Sequence, residues 1–326
     1  MYYLTKAILA IVLGFIVSAG LGLFIVPVLK KFKIRQTISG FVGNRHSDKN
    51  GTPTMGGLIF ILSTLLVITF LLVTNKINMT YDLSIVLFVF ISYAIIGFLD
   101  DYLSIKKGKN EGLTALQKIL LQFIVAIVFY FLYTKNGGKT SLEIATLGIN
   151  IQMKWLYAPF ILFILVGSSN AVNLTDGLDG LAGGLAAIAY IAFSLISLTV
   201  GYMDMGIFTL VLTGGLIGFL LYNAHPAKVF MGDTGSLALG AVMGTIAILT
   251  HREITLFIVA FVFVAETLSV ILQVFWYKTF KKRIFLMTPI HHHFEKIGWP
   301  ETDIVRLFWT CGFILAAAGI IFAVWI

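Results

Sequence analysis

About twenty consecutive apolar residues are enough to cross the hydrocarbon core of a bilayer, and this chain repeats such runs from one end to the other. Ten stand out: Ile8–Leu29, Met55–Val73, Leu83–Leu99, Leu116–Tyr133, Trp155–Asn170, Leu181–Val200, Met205–Tyr222, Ser236–Thr250, Ile254–Tyr277 and Ile304–Ile326. The eighth is short for a crossing, and the ninth is long enough to bend. No repeat or low-complexity linker interrupts them, so residues 1–326 read as a single membrane domain. Composition agrees: 59% of the residues are apolar and 12% charged, against about 25% charge in a typical soluble domain. One water-soluble core cannot hide so much apolar surface, so lipid must solvate much of it. The expected fold is an all-α polytopic membrane protein with about ten transmembrane helices. The first run is too long for the core of a cleavable signal and leads into a basic loop, so it is expected to remain as a span.

Orientation follows from Lys and Arg, which are enriched on the cytoplasmic side. Of the 23 in the chain, most fall on odd-numbered loops. Loop one carries Lys30, Lys31, Lys33, Arg35, Arg45 and Lys49, and loop three carries Lys106, Lys107, Lys109 and Lys118. Loop seven has Lys228, and loop nine has Lys278, Lys281, Lys282, Arg283, Lys296 and Arg306. Only Lys6, Lys76, Lys135, Lys139, Lys154 and Arg252 lie elsewhere. The odd loops are therefore expected in the cytoplasm and both termini on the outer side. The same asymmetry accounts for the net charge of +8. No basic patch is interleaved with aromatics, so nucleic acid is not an expected partner. Between spans four and five, Asn136-Gly137-Gly138 and the alternation from Ile149 to Met153 predict a small extracytoplasmic hairpin. The single cysteine, Cys311, excludes an internal disulfide and a cysteine-rich metal site.

The polar residues that break the apolar texture gather on the odd loops. Five of the fifteen acids sit in three short segments: Asp100-Asp101-Tyr102, Asn173 to Gly180 with Asp176 and Asp179, and Phe230 to Ser236 with Asp233. Two adjacent carboxylates closing a helix meet the negative end of its dipole. They call for a positive partner, either a metal ion or lysines from a neighbouring loop. If the three segments converge, a divalent cation answers the mutual repulsion, and oxygen-only ligands favour Mg²⁺. Blander readings stand beside this one. Asp100 and Asp101 could be interfacial charges, Asp176 or Asp179 could cap span six, and Asp233, Thr234 or Ser236 could cap span eight. His291, His292 and His293 form a triplet in loop nine. In an extended segment the first and third would point together. They could bind a metal, donate to phosphates or be solvated. In loop one, Lys49 and Thr54 could lie near an anionic substrate. Alternatively, Gly56-Gly57 brings helices together and Thr54 caps one. Glu266 lies mid-span, where an acid is either functional or a hydrogen-bonded member of the bundle.

These strings, in this order from Thr52 to about Trp299, resemble the polyprenyl-phosphate N-acetylhexosamine-1-phosphate transferase superfamily. Thr52 to Gly57 and Pro289 to Glu295 resemble its muramoyl-pentapeptide branch in particular. The resemblance implies transfer of phospho-N-acetylmuramoyl-pentapeptide from UDP-N-acetylmuramoyl-pentapeptide to undecaprenyl phosphate, with release of UMP. It also implies ten spans, Mg²⁺ dependence, a homodimer, inhibition by nucleoside antibiotics, and an active site on the cytoplasmic face of the bacterial inner membrane. By motif, Asp233 looks like the main magnesium ligand and Asp100 like the base for the lipid phosphate, with Asp101 beside it. Asn173, Asp176, Gly177, Leu178, Asp179, Asn223 and Phe230 resemble the nucleoside pocket, Phe230 stacking on uracil. Lys49, Thr54 and Lys118 flank it. His291, His292 and His293 are expected to hold the sugar or diphosphate. Two competitors remain. A sister enzyme would transfer N-acetylglucosamine-1-phosphate, and a secondary transporter would place its charged site near the midplane between inverted repeats.

Overall fold

The computed structural model describes residues 2–31, 51–107 and 112–324. Lys49 lies outside the described residues. The helices run in chain order as α1 (Tyr2–Lys31), α2 (Gly57–Val73), α3 (Tyr81–Lys107) and α4 (Ala115–Lys135). Strands β1 (Ser141–Ile144) and β2 (Ile149–Gln152) follow. Then come α5 (Tyr157–Thr175), α6 (Leu181–Thr199), α7 (Met203–Asn223), α8 (Gly232–Leu249), α9 (Glu253–Val259), α10 (Phe261–Phe280), α11 (Ile290–Lys296) and α12 (Glu301–Val324). Among the described residues, nine helices are long and apolar enough to cross a membrane, and α2, with 17 residues, is apolar but shorter. The chain is an all-helical, polytopic membrane protein.

The helices sort into an inner group and a surrounding ring. A helix that is apolar all round must be covered by protein or by lipid. In α6, α7 and α8 protein does the covering: buried positions fill 78, 83 and 89% of their most apolar stretches. In α1, α4 and α12 the share is 22, 17 and 28%, and Phe24, Phe131, Phe313 and Ile314 face outward as a lipid-facing surface should. Helix α8 is the axis, packed against α3 and α5. Its contact with α3 is tight because Gly97 has no side chain. A Cβ there would come within 2.1 Å of the Asp233 carbonyl oxygen. That approach sets Asp100 and Asp101, one turn further along α3, against the start of α8.

Two local expectations change. The antiparallel hairpin exists, with Ser141 opposite Gln152 and Ile144 opposite Ile149. Its turn, however, is Ala145 to Gly148, where Gly148 takes φ +63°. Asn136 instead ends α4, with Gly137 at φ +78° just beyond. The ninth apolar run does bend: Ala260, at φ −96° and ψ 16°, separates α9 from α10.

At the end of the bundle that carries the hairpin, Glu253 opens α9 fully buried and accepts a hydrogen bond from the Tyr157 hydroxyl. Burial, above all, pushes its carboxyl from 4.5 up to about 7. Below about 4.5 the group is protonated whether the chain is folded or not, and contributes no pH dependence. Between about 4.5 and 7 the unfolded state ionises while the folded state keeps its proton, so stability falls as pH rises; above 7 the loss is complete. The melting temperature in detergent is therefore expected to drop from pH 5 to pH 7, and Glu253→Gln to flatten that drop. Parallel curves for the two proteins would refute it.

Candidate functional site

The three acidic segments converge. Helix α3 continues past Asp100 and Asp101 to Lys107. The pair therefore sits inside the helix rather than at its end, and its charge problem arises from Asp233 instead. Lys118, in the first turn of α4, answers part of it. Its Nζ lies 3.2 Å from Asp100 Oδ2 and 2.5 Å from Asp233 Oδ2. The Thr114–Gln117 capping box that starts α4 holds this lysine in place. Asp100 Oδ1 also accepts the Leu113 N–H at 2.9 Å, and Asp233 Oδ1 accepts from Asn173 Nδ2 at 2.7 Å. A lysine from a neighbouring segment thus supplies one positive partner to the pair Asp100 and Asp233.

Asp101 does something the sequence did not suggest. Its carboxylate accepts the backbone N–H groups of Asp233 and Thr234 at 3.1 and 3.0 Å and the Thr234 hydroxyl at 2.6 Å. An acid on α3 thus caps the N-terminus of α8, where a negative charge is favoured. The capping role proposed for Asp233, Thr234 or Ser236 is not theirs: α8 has no side-chain cap of its own. Likewise neither Asp176 nor Asp179 caps α6, whose N-cap is Gly180 at φ +78°. Asp176 instead follows the last residue of α5. It keeps part of its surface open but lies deep in the protein mass. That burial first, and the charges of Asp233 and Asp101 next, push its carboxyl up to about 7. It can therefore donate as well as accept hydrogen bonds near neutrality.

The start of α2 closes the site from the other side. Phe230 N–H donates to the Pro53 carbonyl at 2.8 Å, and Gly56 and Gly57 donate to the Phe230 and Met231 carbonyls at 2.8 and 2.9 Å. The glycine pair does bring chain segments together, as its blander reading held. Thr54 is no cap; it is 4% exposed, and its hydroxyl has no hydrogen-bond partner among the described residues. It sits beside Asp101 and Gly232, where a Cβ on that glycine would meet Thr54 Oγ1 at 2.7 Å and Asp101 Oδ2 at 2.5 Å. Asn223 donates to the Val229 carbonyl at 3.0 Å, while its buried Oδ1 has no hydrogen-bond partner among the described residues. Thr54 and Asn223 are both among the residues mapped onto the substrate site, although buried atoms without a partner also occur elsewhere among the described residues, at Thr64 and Ser197 for example. Leu178 is buried, and Phe230 and Gly177 keep exposed surface.

The histidines lie on a helix, α11, so they point three ways rather than two. His291 is fully buried with Nδ1 3.1 Å from Oε1 of Glu266, itself fully buried on α10. Its Nε2 faces Gly177, where a Cβ would come within 2.3 Å. His292 Nδ1 lies 2.6 Å from Glu295 Oε2. His293 Nδ1 accepts the Leu286 N–H at 3.2 Å. Glu266 thus reaches the Asn173–Gly180 loop through His291.

Two residues of the site went unnoticed in the sequence. Glu301, at the start of α12, accepts the Asp179 N–H at 2.7 Å. His225 faces Asp179 Oδ2 at 3.1 Å and Glu301 Oε2 at 3.7 Å. Asp179, His225 and Glu301 are also a grouping whose donor atoms could hold a metal ion. A lone histidine and a lone acid 76 residues apart carry no local signal.

Residues 83–251 match Glycosyl transferase family 4, and residues 49–61 match signature 1 of the phospho-N-acetylmuramoyl-pentapeptide-transferases. Relatives with that transferase name cover the chain almost end to end. The protein of Geobacillus sp. (strain WCH70) is 48% identical over 320 residues, 98% of each chain. Those of Bacillus licheniformis and Bacillus subtilis (strain 168) are each 47% identical over 317 residues, 97% of each chain. With the acidic motifs gathered into one site and identity at this level across the whole length, the chain belongs to the phospho-N-acetylmuramoyl-pentapeptide-transferase family.

Proposed function

We propose that this chain transfers phospho-N-acetylmuramoyl-pentapeptide from UDP-N-acetylmuramoyl-pentapeptide to undecaprenyl phosphate, releasing UMP. The observation that carries the reading is the Asp100–Lys118–Asp233 bridge, built where α3, α4 and α8 meet at one end of the bundle. A lipid phosphate lives at headgroup level, and a site built from the first turns of α4 and α8 and the last two turns of α3 can meet it. The Lys and Arg asymmetry supports ten spans, with α2 among them, both termini outside, and this end in the cytoplasm of a bacterial inner membrane. A homodimer and inhibition by nucleoside antibiotics belong to the same reading through the family.

Mg²⁺ fits the residues present. The donors are oxygens, and among the described residues one lysine does not balance Asp100, Asp101 and Asp233 and the Thr54 hydroxyl beside them is buried without a hydrogen-bond partner. Asp233 and Asp100 would hold the ion, whereas the oxygens of Asp101 are occupied by α8. When bound, the ion supplies charge neutralisation at the diphosphate. The chain's own residues do the rest. Asn223, Leu178 and Phe230 hold the nucleoside, Phe230 through its ring face. Lys118 offsets charge between Asp100 and Asp233. The histidine helix holds the sugar or diphosphate against the loop at Gly177.

A lipid phosphate has its second pKa near about 6 if it behaves like a phosphoserine, so it is a competent nucleophile near neutrality. Asp100 takes its remaining proton. The phosphate oxygen forms a bond to the β-phosphorus, the bond from that phosphorus to the bridging oxygen breaks, and the oxygen leaves on UMP. A covalent route through a carboxylate is disfavoured because the lipid phosphate needs little activation and an acyl-phosphate intermediate would be exposed to water at the membrane surface.

Purified protein given undecaprenyl phosphate is expected to release UMP from UDP-N-acetylmuramoyl-pentapeptide and not from UDP-N-acetylglucosamine, and to stop in EDTA. Preference for the second nucleotide would establish the sister activity, and no UMP from either would leave the transporter reading standing. Omitting the lipid tests the mechanism. Direct attack predicts no exchange of labelled UMP into the nucleotide sugar, while a covalent route predicts exchange that Asp100→Asn abolishes.

A further inference from the structure

Beyond the site just described, a pocket of about 470 Å³ opens between the last turns of α10 and the segment leading into α11. Three cations line it: Lys278 from α10, Arg283 from the connecting segment and Lys296 from the end of α11. Among the described residues no carboxylate lines it. Among the described residues none of the three cations forms an ion pair. The bias of basic residues toward one membrane face accounts for their presence in this loop. It does not account for three of them converging on one cavity without an acid, since like charges brought together repel.

The wall of the pocket is fixed. Gln273 on α10 accepts the N–H groups of Ile284 and Phe285 at 3.0 and 2.9 Å, which ties the connecting segment to the helix. Arg283 Nη1 donates to the Leu286 carbonyl at 3.1 Å. The N–H of that same Leu286 donates to His293. The pocket therefore adjoins the histidine helix through His293, while His291 of that helix faces Gly177 of the nucleoside loop. The two regions lie about one helix apart, on the order of 10 Å.

We propose that this pocket receives the free carboxylate that ends the substrate's peptide, an inference that rests on the transferase reading. A pentapeptide ends in one α-carboxylate whatever its residues are, and five extended residues span up to about 17 Å. That is enough to cross α11 from a sugar held on its Gly177 side. Lys278, Arg283 and Lys296 supply the donors, Arg283 with a fork suited to a carboxylate. An anionic lipid headgroup offers similar oxygens at the membrane surface, and the test separates the two.

The full-length enzyme is assayed in neutral detergent with UDP-N-acetylmuramoyl-pentapeptide and with its C-terminal amide. Wild type is expected to show a KM about tenfold higher for the amide, the scale of one charge-assisted contact, with kcat moved much less. The variant Lys278→Gln/Arg283→Gln/Lys296→Gln is expected to raise KM for the free acid by a similar factor and to stop distinguishing the two substrates. Equal KM values for acid and amide in wild type overturn the proposal, whether or not the variant folds. So does a variant that still distinguishes them. A variant defect present only in vesicles containing phosphatidylglycerol, and absent in neutral detergent and phosphatidylcholine, assigns the pocket to lipid headgroups and also overturns it. Failure of wild type to release UMP from either substrate rejects the transferase reading itself.

Discussion

Asp233→Asn is expected to lower kcat by about 10³ while the protein stays folded. The substitution keeps the shape of the side chain and removes its charge. Asp233 is the carboxylate that Lys118 approaches most closely, at 2.5 Å, and that Asn173 also holds. Without its charge, Lys118 turns fully to Asp100, 3.2 Å away, and the site loses a ligand for a divalent cation. The backbone is insulated from this change. Its N–H at 233 and its neighbour at 234 are capped by Asp101, not by the side chain that is altered. UMP release, the Mg²⁺ concentration for half activity and the melting temperature should be measured together. A lost rate, a raised metal requirement and an unshifted melting temperature are the expected set. A variant retaining a tenth or more of the rate would remove Asp233 from the centre of the reaction.

The second large effect concerns Glu266 and His291, which are buried together 3.1 Å apart. His291→Ala and Glu266→Ala are each expected to lower kcat by about 10², because a displacement of about 1 Å near the reacting groups costs that much. His291 wedges against Gly177, so its loss frees the nucleoside loop. Glu266, on α10, faces His291 and acts by holding it. The double variant should therefore be no slower than either single one, since partners in one interaction are not additive. It should also melt no lower than the worse single variant, because the double variant leaves neither buried ionisable group facing an empty space. A double variant slower by about 10⁴ would mean that the two act independently and that Glu266 has another task.

Much of this was legible along the chain because the bilayer enforces a simple rule: apolar length becomes helix. The runs read from composition recur as α1 to α8, the α9–α10 pair and α12. The acidic strings were visible because charges are rare in such a chain. What was hidden depends on contacts between distant segments. The break at Ala260 has no proline or glycine to announce it. Three histidines in a row cannot share one helix face, which left an extended segment open, yet Ile290 to Lys296 forms two turns of helix packed on α10. Asp101 resembles its neighbour Asp100 in sequence, and only the position of α8, 132 residues further on, turns it into a cap. Glu301 and His225 join the site through loop closure, which leaves no local pattern.

The central position of α8 bears on how the protein is made. Its 18 residues include four glycines, a serine, two threonines and Asp233, a composition that partitions into lipid far less readily than that of α1 or α12. Nearly all of its surface is covered by other helices. Its principal partners α3 and α5 both precede it in the chain. As the ribosome delivers α8 to the translocon, the groove that will shelter it already exists. The helix that carries the central carboxylate thus enters the membrane as a guest of its own earlier segments rather than as an independent insert. Point changes in α3 that fill the space at Gly97 should act during biogenesis, lowering the amount of protein in the membrane before any effect on turnover can be read.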